Sequence, residues 1–491
     1  MVACSIVEPR RATRPRLART SHTAAGVTPV RMRFDRGTIL IEGLAELGDR
    51  LGDVAARFGV LWDARVGAHR APARLFYALA GELRRRGVLD PDGPGLPHFV
   101  PPSGLRPPEL RTYQAAALAA WRFAGRRGVV VLPTGAGKTR VALAAIAATR
   151  APALCLVPTR VLLAQWVTAL AAIGCAPVGR FGDGERCLAP VTVATYASAY
   201  RNMAEIGDRF GLVVVDEVHH FGGGLFDDAL DMAIAPLRMG LTATPPSPGP
   251  RRDGLARLVG PLVVELGIGD LSGDALAPFE RVVMRLPLDE DERRDYEALA
   301  AIYREAARRF SGNHLDASWE DFLREAARSD EGRLGIAAWR RASRLLAYPR
   351  CKQRALALLL ERHRQDKTLV FVADNETAYA IAREHLIMPL TCDIGAPERK
   401  RVLERFREGS LRAIVSAQVL NEGLDVPDAQ VGIIVAGRRG EREHVQRVGR
   451  LLRPSAGKCA LVYELVVERS GEVAQANRRA KGLAPRRRVA A

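Results

Sequence analysis

Residues 128–139 read Gly-Val-Val-Val-Leu-Pro-Thr-Gly-Ala-Gly-Lys-Thr, and this stretch decides the fold. The apolar run Gly128–Leu132 predicts a buried strand, the next residues form a glycine-bearing loop, and Arg140–Ala148 carries helical patterning. Glycines let backbone N–H groups approach a phosphate closely, and the N-terminus of the following helix adds a favourable dipole. Thr134, Gly135, Ala136 and Gly137 are therefore expected to cradle a nucleotide. Lys138 is expected to hold its β- and γ-phosphates, and Thr139 to ligate Mg²⁺. The first glycine of the general phosphate-loop pattern is Leu132 here. A plain tight turn is the alternative reading, and the strand–loop–helix setting argues against it.

Downstream, short apolar runs alternate with helical segments. Ala153–Val157, Val191–Ala194, Leu212–Val215 and Met239–Thr242 read as further buried parallel strands, which implies a doubly wound α/β sheet. The run Leu212–Val215 delivers Asp216 and Glu217 to its C-terminal end, where such sheets bind ligands. Asp216 is expected to hold Mg²⁺, and Glu217 to orient and deprotonate an attacking water. Alone, an Asp-Glu pair after a strand is as often a helix cap. Its position after a phosphate loop changes that balance. Thr242 and Thr244, at the end of the next strand, could link the hydrolysis site to the rest of the chain. An isolated string of this kind equally caps turns.

Between Leu288 and Arg344 the sequence turns helical and highly charged, with no strand signal. From Lys352 the α/β alternation returns, with strands expected at Thr368–Val372, Ala413–Ser416, Val431–Val435 and Cys459–Tyr463. In this second half Arg450 and Arg453 fall on one face of a predicted helix, where two guanidiniums could reach a phosphate. Such an arginine finger accelerates other nucleotide hydrolases by about 10³–10⁵. A solvated basic face is the commoner fate of an isolated Arg pair.

The 491 residues exceed one ordinary core, and 48% are hydrophobic against 26% charged, as in folded globular chains. A formal net charge of +18 and a pI near 10.2 favour a polyanionic partner or, equally, an Arg-rich solvated surface. Seven scattered cysteines without a C-x-x-C pair argue against a zinc or iron–sulfur site and suit a reducing cytoplasm. No apolar run reaches the roughly 20 residues needed to span a bilayer. Residues 1–30 resemble a disordered basic tail rather than a secretory signal, and Met32 sits just before the first expected strand, where a start codon could lie.

The ordered set Gln114, the phosphate loop, Val157–Arg160, Thr195-Tyr196, Asp216–His219, Thr242–Thr244, Glu422–Pro427 and Gln446–Arg453 resembles the motifs of superfamily 2 helicases. In that family Pro-Thr-Gly replaces the first loop glycine. The form Asp216-Glu217-Val218-His219-His220, with Arg252-Asp253-Gly254 and Arg442–Arg447, is similar to XPB (Rad25) DNA repair helicases, especially prokaryotic members. The resemblance covers about residues 33 to 482.

The resemblance implies that Gln114 reads adenine, that Arg160 and Thr195 touch the nucleic-acid backbone, and that Gly423 and Asp425 meet nucleotide. It also implies that His219 couples to Gln446, and that the chain moves 3′ to 5′ on single-stranded or forked DNA using ATP and Mg²⁺. That family's Arg-Glu-Asp unwinding signature is not plainly present, which makes translocation a firmer expectation than strand separation. An RNA helicase or the motor subunit of a restriction system shares the motifs. No nuclease motif stands out, so a nuclease partner would be a separate protein.

The expected architecture is two RecA-like doubly wound lobes, 109–284 and 348–482, with a small mixed α/β domain at 31–108 whose Asp35–Thr38 and Trp62–Arg65 stretches resemble the family's damage-recognition domain. A helical thumb-like insert is expected at 285–347 and a frayed basic tail at 483–491. A monomer in the cytoplasm, associated with the nucleoid, is the expected state. Trp62, Trp121, Trp166, Trp319 and Trp339 could stack bases, but their apolar surroundings favour core packing. His363 and His385 lie on charged helices and are expected at the surface.

Overall fold

The structure is a computed structural model that describes residues 29–44, 52–90, 101–182, 184–273, 276–311, 326–417, 429–436, 460–483, 485 and 488–489. These cluster into two compact units. One is drawn from Met1–Leu132, Gly137–Leu266 and Arg487–Ala491, the other from Pro133–Ala136 and Gly267–Arg486.

The first unit opens with an antiparallel sheet of β1 (Arg31–Asp35), β2 (Thr38–Glu42), β3 (Leu61–Asp63) and β4 (Ala68–Pro72), in the order β1-β2-β4-β3. The helix Phe76–Arg85 buries Phe76, Leu79, Ala80 and Leu83 in a core shared with Ile39 and Ile41. This sheet domain does not stand apart. Ile234 of the large sheet's unit joins its core, Arg74 pairs with Asp231 at 2.5 Å, and a Cβ on Gly37 would collide with Met232. Met32 lies inside β1, opposite Ile41, and not ahead of it. Val30 is fully buried and hydrogen-bonds Val88.

The large sheet contains β5 (Arg127–Val131), β6 (Ala153–Val157), β7 (Val178–Gly182), β8 (Glu185–Cys187), β9 (Val191–Thr195), β10 (Leu212–Asp216), β11 (Leu237–Thr242) and β12 (Leu262–Glu265). Strands β6 and β10 are buried at every position, which is why they read as unbroken apolar runs. The central order β12-β5-β11-β10-β6-β9-β7 is parallel throughout. Because β11 lies between β5 and β10, Thr242 sits opposite Val131 while Leu241 sits opposite Asp216. The loops after β5, β10 and β11 therefore leave one edge of the sheet side by side.

The second unit holds a six-stranded parallel sheet of β13 (Phe279–Leu286), β14 (Thr368–Phe371), β15 (Met388–Leu390), β16 (Ala413–Ser416), β17 (Val431–Ile434) and β18 (Ala460–Val467). Its order is β13-β18-β17-β14-β16-β15. The sequence boundary at 284 cuts through β13, which pairs with β18 along its whole length. Glu280, Arg281 and Arg285 break the apolar pattern there, and the Arg281 guanidinium is held by both carboxylate oxygens of the buried Glu464. The helical segment holds Glu290–Ser311 and Asp330–Ala347, packed so closely that a Cβ on Gly335 would run into Ala306.

Three further expectations are corrected. The basic C-terminal segment is not simply frayed, since β19 (Arg488–Val489) pairs antiparallel with β12. His363 binds Asp366 at 2.8 Å and Tyr463 at 3.1 Å, and His385 meets the Tyr348 hydroxyl at 3.1 Å, so neither is a plain surface group. Trp121 and Trp166 are buried as expected, but Trp62 is 54% exposed. Trp319 lies outside the described residues.

One buried charge organises the first unit. Arg238 of β11 is 1% exposed, and its guanidinium donates to the carbonyls of Leu230, Ala233, Ala235 and Leu258. Replacing it with Met would leave several carbonyls unsatisfied in the core. Arg238→Met is expected to cost about 3 kcal/mol or more, read as a lower denaturation midpoint.

Candidate nucleotide and nucleic-acid site

The helix Lys138–Thr149 begins directly after β5 and its loop. Gly135 and Gly137 both take positive φ, 86° and 75°, a region where a side chain is strained. Lys138 and Thr139 open the helix, so their N–H groups are among those left without an intrahelical acceptor. Gln114, on the helix Thr112–Phe123, is 2% exposed and lies so near the loop that a Cβ on Gly137 would come within 2.5 Å of its Nε2. The Arg111 N–H donates to Gln114 Oε1 at 3.0 Å, which fixes the amide's orientation.

Asp216 ends β10 with a carboxylate that is almost wholly buried. Trp166 Nε1 donates to Oδ2 at 2.9 Å, and the Glu217 N–H donates to Oδ1 at 3.0 Å. Burial pushes this carboxyl above its ordinary value, while the Lys138 ammonium and the Trp166 bond pull the other way. Trp166 was expected in the core. It is there, but its indole N–H also aims the carboxylate, a role that apolar patterning cannot signal.

Glu217 follows in a left-handed conformation, φ 51°. The Tyr196 hydroxyl holds the turn by donating to the carbonyl of Asp216, with the Glu217 carbonyl at 3.2 Å. A non-glycine residue held at positive φ by such a contact is a mark of a functional turn.

His219 Nδ1 lies 3.0 Å from Thr242 Oγ1 and 3.4 Å from Glu217 Oε2. The Thr242 hydroxyl donates to the Thr244 carbonyl at 3.1 Å and accepts the Thr244 N–H at 3.2 Å. The His219 ring is thus within hydrogen-bond reach of a hydroxyl that is also tied to the Thr244 backbone. His219, Thr242 and Thr244 form one buried polar chain, with the Glu217 carboxylate beside it.

Arg160 and Thr195 line a common groove of about 730 Å³, together with Arg186 and Arg201. Thr195 caps the helix Tyr196–Ile206 by accepting the Ser198 N–H, and Thr159 caps Arg160–Ala172 in the same way. The starts of two helices and three arginines therefore border one groove that Glu185 and Glu205 also line, with Glu185 paired to Arg180, a setting that can take phosphate. The expected Gly423, Asp425, Gln446, Arg450 and Arg453 lie outside the described residues.

A phosphate loop, an Asp-Glu turn and a threonine relay on adjacent strand ends, beside an arginine-lined groove, define a superfamily 2 nucleic-acid-dependent ATPase. Residues 107–247 match the family described as type III restriction enzyme, res subunit, and residues 351–455 match the helicase conserved C-terminal domain. Residues 32–92 match the Xeroderma pigmentosum group B helicase damage recognition domain. The chain is 34% identical over 373 residues to the DNA 3'-5' translocase XPB2 of Sulfurisphaera tokodaii, covering 76% of this chain and 84% of that one. It is 29% identical over 390 residues to the DNA 3'-5' helicase XPB of Mycobacterium tuberculosis, covering 77% and 64%. A third relative, the DNA 3'-5' helicase XPB of Kineococcus radiotolerans, is 30% identical over 373 residues, covering 73% and 60%. The chain belongs to the XPB (Rad25) helicase family. Among the described residues no helix is long and apolar enough to cross a membrane.

Proposed function

We propose that this chain hydrolyses ATP to move 3′ to 5′ along DNA during DNA repair. The observation that carries this reading is the convergence of Lys138, Asp216, Glu217 and Thr242 at one edge of a parallel sheet. Lys138 binds the β- and γ-phosphates, Gln114 selects the base, and the loop N–H groups cradle the phosphate chain. Glu217 orients the attacking water and takes its proton. The chain His219–Thr242–Thr244 carries the state of that site into the strand ends beside it. Arg450 and Arg453 supply positive charge to the transferring phosphate, with Gln446, Gly423 and Asp425 completing the nucleotide contacts.

The donor set fits Mg²⁺: a buried carboxylate on Asp216, raised by desolvation, gains from a cation, and Thr139 offers a hydroxyl at the helix start. When bound, the ion neutralises charge on the β- and γ-phosphates.

ATPase rates compared across single-stranded DNA, duplex DNA and RNA test the reading. DNA is expected to stimulate most, and stimulation by RNA alone would overturn it. DNA affinity is also expected to fall steeply with salt, by about 10³-fold or more between 50 and 200 mM, if six or more phosphates are contacted. A flat response in a titration monitored by anisotropy would show that the +18 charge is not spent on phosphate.

A further inference from the structure

The two helices that open at the arginine-lined groove also reach the hydrolysis turn. Arg160 begins the helix Arg160–Ala172, Thr195 caps the helix Tyr196–Ile206, and both residues line the groove. The second helix keeps Ser198 and Arg201 on the groove side and turns Tyr196, Ala199, Met203 and Ile206 into the core. At helical spacing the two sets fall on different faces.

Each helix sends one buried polar group to the Asp216–Glu217 turn. From the first, the Trp166 Nε1–H donates to Asp216 Oδ2 at 2.9 Å. Trp166 stands about two turns along the same helix from Arg160. From the second, the Tyr196 hydroxyl donates to the Asp216 carbonyl, with the Glu217 carbonyl 3.2 Å away. Tyr196 is the immediate neighbour of the groove residue Thr195. One side chain thus holds the Asp216 carboxylate, and the other holds the backbone that carries it.

The turn they grip is poised to respond. Glu217 sits at φ 51°, and a residue with a Cβ stays in that sparsely populated region only while its surroundings hold it there. The bond from the Glu217 N–H to Asp216 Oδ1 is internal to the turn, so Trp166 and Tyr196 supply constraint from outside it. The Tyr196 ring also lies edge-on to Phe221, which follows the turn, at 4.9 Å between centroids. All these residues belong to the first unit, and close-packed interiors transmit small displacements rather than absorb them.

We propose that Trp166 and Tyr196 are positioning residues that couple the groove to ATP hydrolysis. A nucleic-acid backbone held at Arg160 and Thr195 sets the two helices, and their two hydrogen bonds set the Asp216 carboxylate and the Glu217 turn. This rests on the proposed DNA-dependent ATPase reading and deepens it by naming a route for the dependence.

The test uses the full chain with two readouts. One is the stimulation ratio, the ATP turnover rate with saturating single-stranded DNA divided by the rate without DNA. The other is the shift in DNA affinity, read by anisotropy, when the non-hydrolysable analogue AMP-PNP is added. In the wild type that shift is expected within the range of about 5–150-fold found for coupled sites. Tyr196→Phe keeps the ring and its packing, and is expected to cut both the ratio and the shift by about three- to ten-fold, the scale of one lost buried hydrogen bond. Trp166→Phe is expected to act in the same direction. Thermal melting checks the fold, and if Trp166→Phe does not fold, Tyr196→Phe decides alone. A merely structural role would lower both rates together and leave the ratio and the AMP-PNP shift at wild-type values, and that outcome overturns the proposal. A wild type without any DNA stimulation overturns the broader reading and the coupling with it, whereas a stimulated wild type with unaltered variants removes the coupling alone.

Discussion

Glu217→Gln is expected to lower DNA-stimulated ATP turnover by about 10²–10⁴-fold while the protein stays folded and still binds ATP. Gln preserves the shape of the side chain but cannot take a proton from water. The Glu217 side chain is 17% exposed, so it is largely shielded yet open enough to meet a water. Its turn is set by the Tyr196 hydroxyl on the two successive carbonyls of Asp216 and Glu217, an arrangement the substitution does not touch. The contact between His219 Nδ1 and Thr242 does not involve the Glu217 side chain, so the relay to Thr244 survives. Chemistry is then the step lost, and the variant should accumulate bound ATP in a rapid-mix assay. Wild-type turnover in the folded variant would remove Glu217 from the role of base.

The strand edge proposed for catalysis stood out in the sequence for a physical reason. Strands buried on both faces must be apolar at every position, so Leu212–Asp216 and Ala153–Val157 announce themselves, and polar residues at their ends stand out. The order of those strands in the sheet is not written in any one of them. It took the structure to show that β11 lies between β5 and β10, which brings Thr242 beside both the phosphate loop and Asp216.

Two of the strands that escaped notice lack that signature. β15 is three residues long and contains Pro389, and β13 interleaves Arg and Glu with its apolar residues because Arg281 is neutralised by the distant Glu464. Trp62 and Trp166 show a second limit. Apolar surroundings pointed Trp62 to the core, but a face is buried only as far as its covering elements extend, and Trp62 is left 54% exposed. Trp166 was placed correctly in the core, yet its contribution depends on one polar atom among a large apolar surface. Side-chain direction at that resolution follows from packing between Arg160–Ala172 and β10, which no local pattern encodes.

Lys138→Ala is expected to reduce DNA-stimulated ATP hydrolysis by about 10³-fold, because it removes a fixed positive charge from where negative charge builds up on the phosphates. The loss should exceed that of an ordinary surface lysine for a reason visible in the fold. The ammonium also offsets the cost of keeping Asp216 charged in a buried position, so its removal disturbs a second member of the site. Lys138→Arg should recover only a small part of the rate. A guanidinium is planar and forked, whereas the loop, closed by Gly135 and Gly137 at positive φ and backed by Gln114, is shaped for a compact point charge. DNA binding without nucleotide should persist in Lys138→Ala, since Arg160, Arg186 and Arg201 face a separate groove. Parallel measurement of ATPase and DNA affinity separates the two sites. Equal loss of both would mean that the phosphate loop supports the groove's structure, and retention of full ATPase would exclude Lys138 from the chemistry.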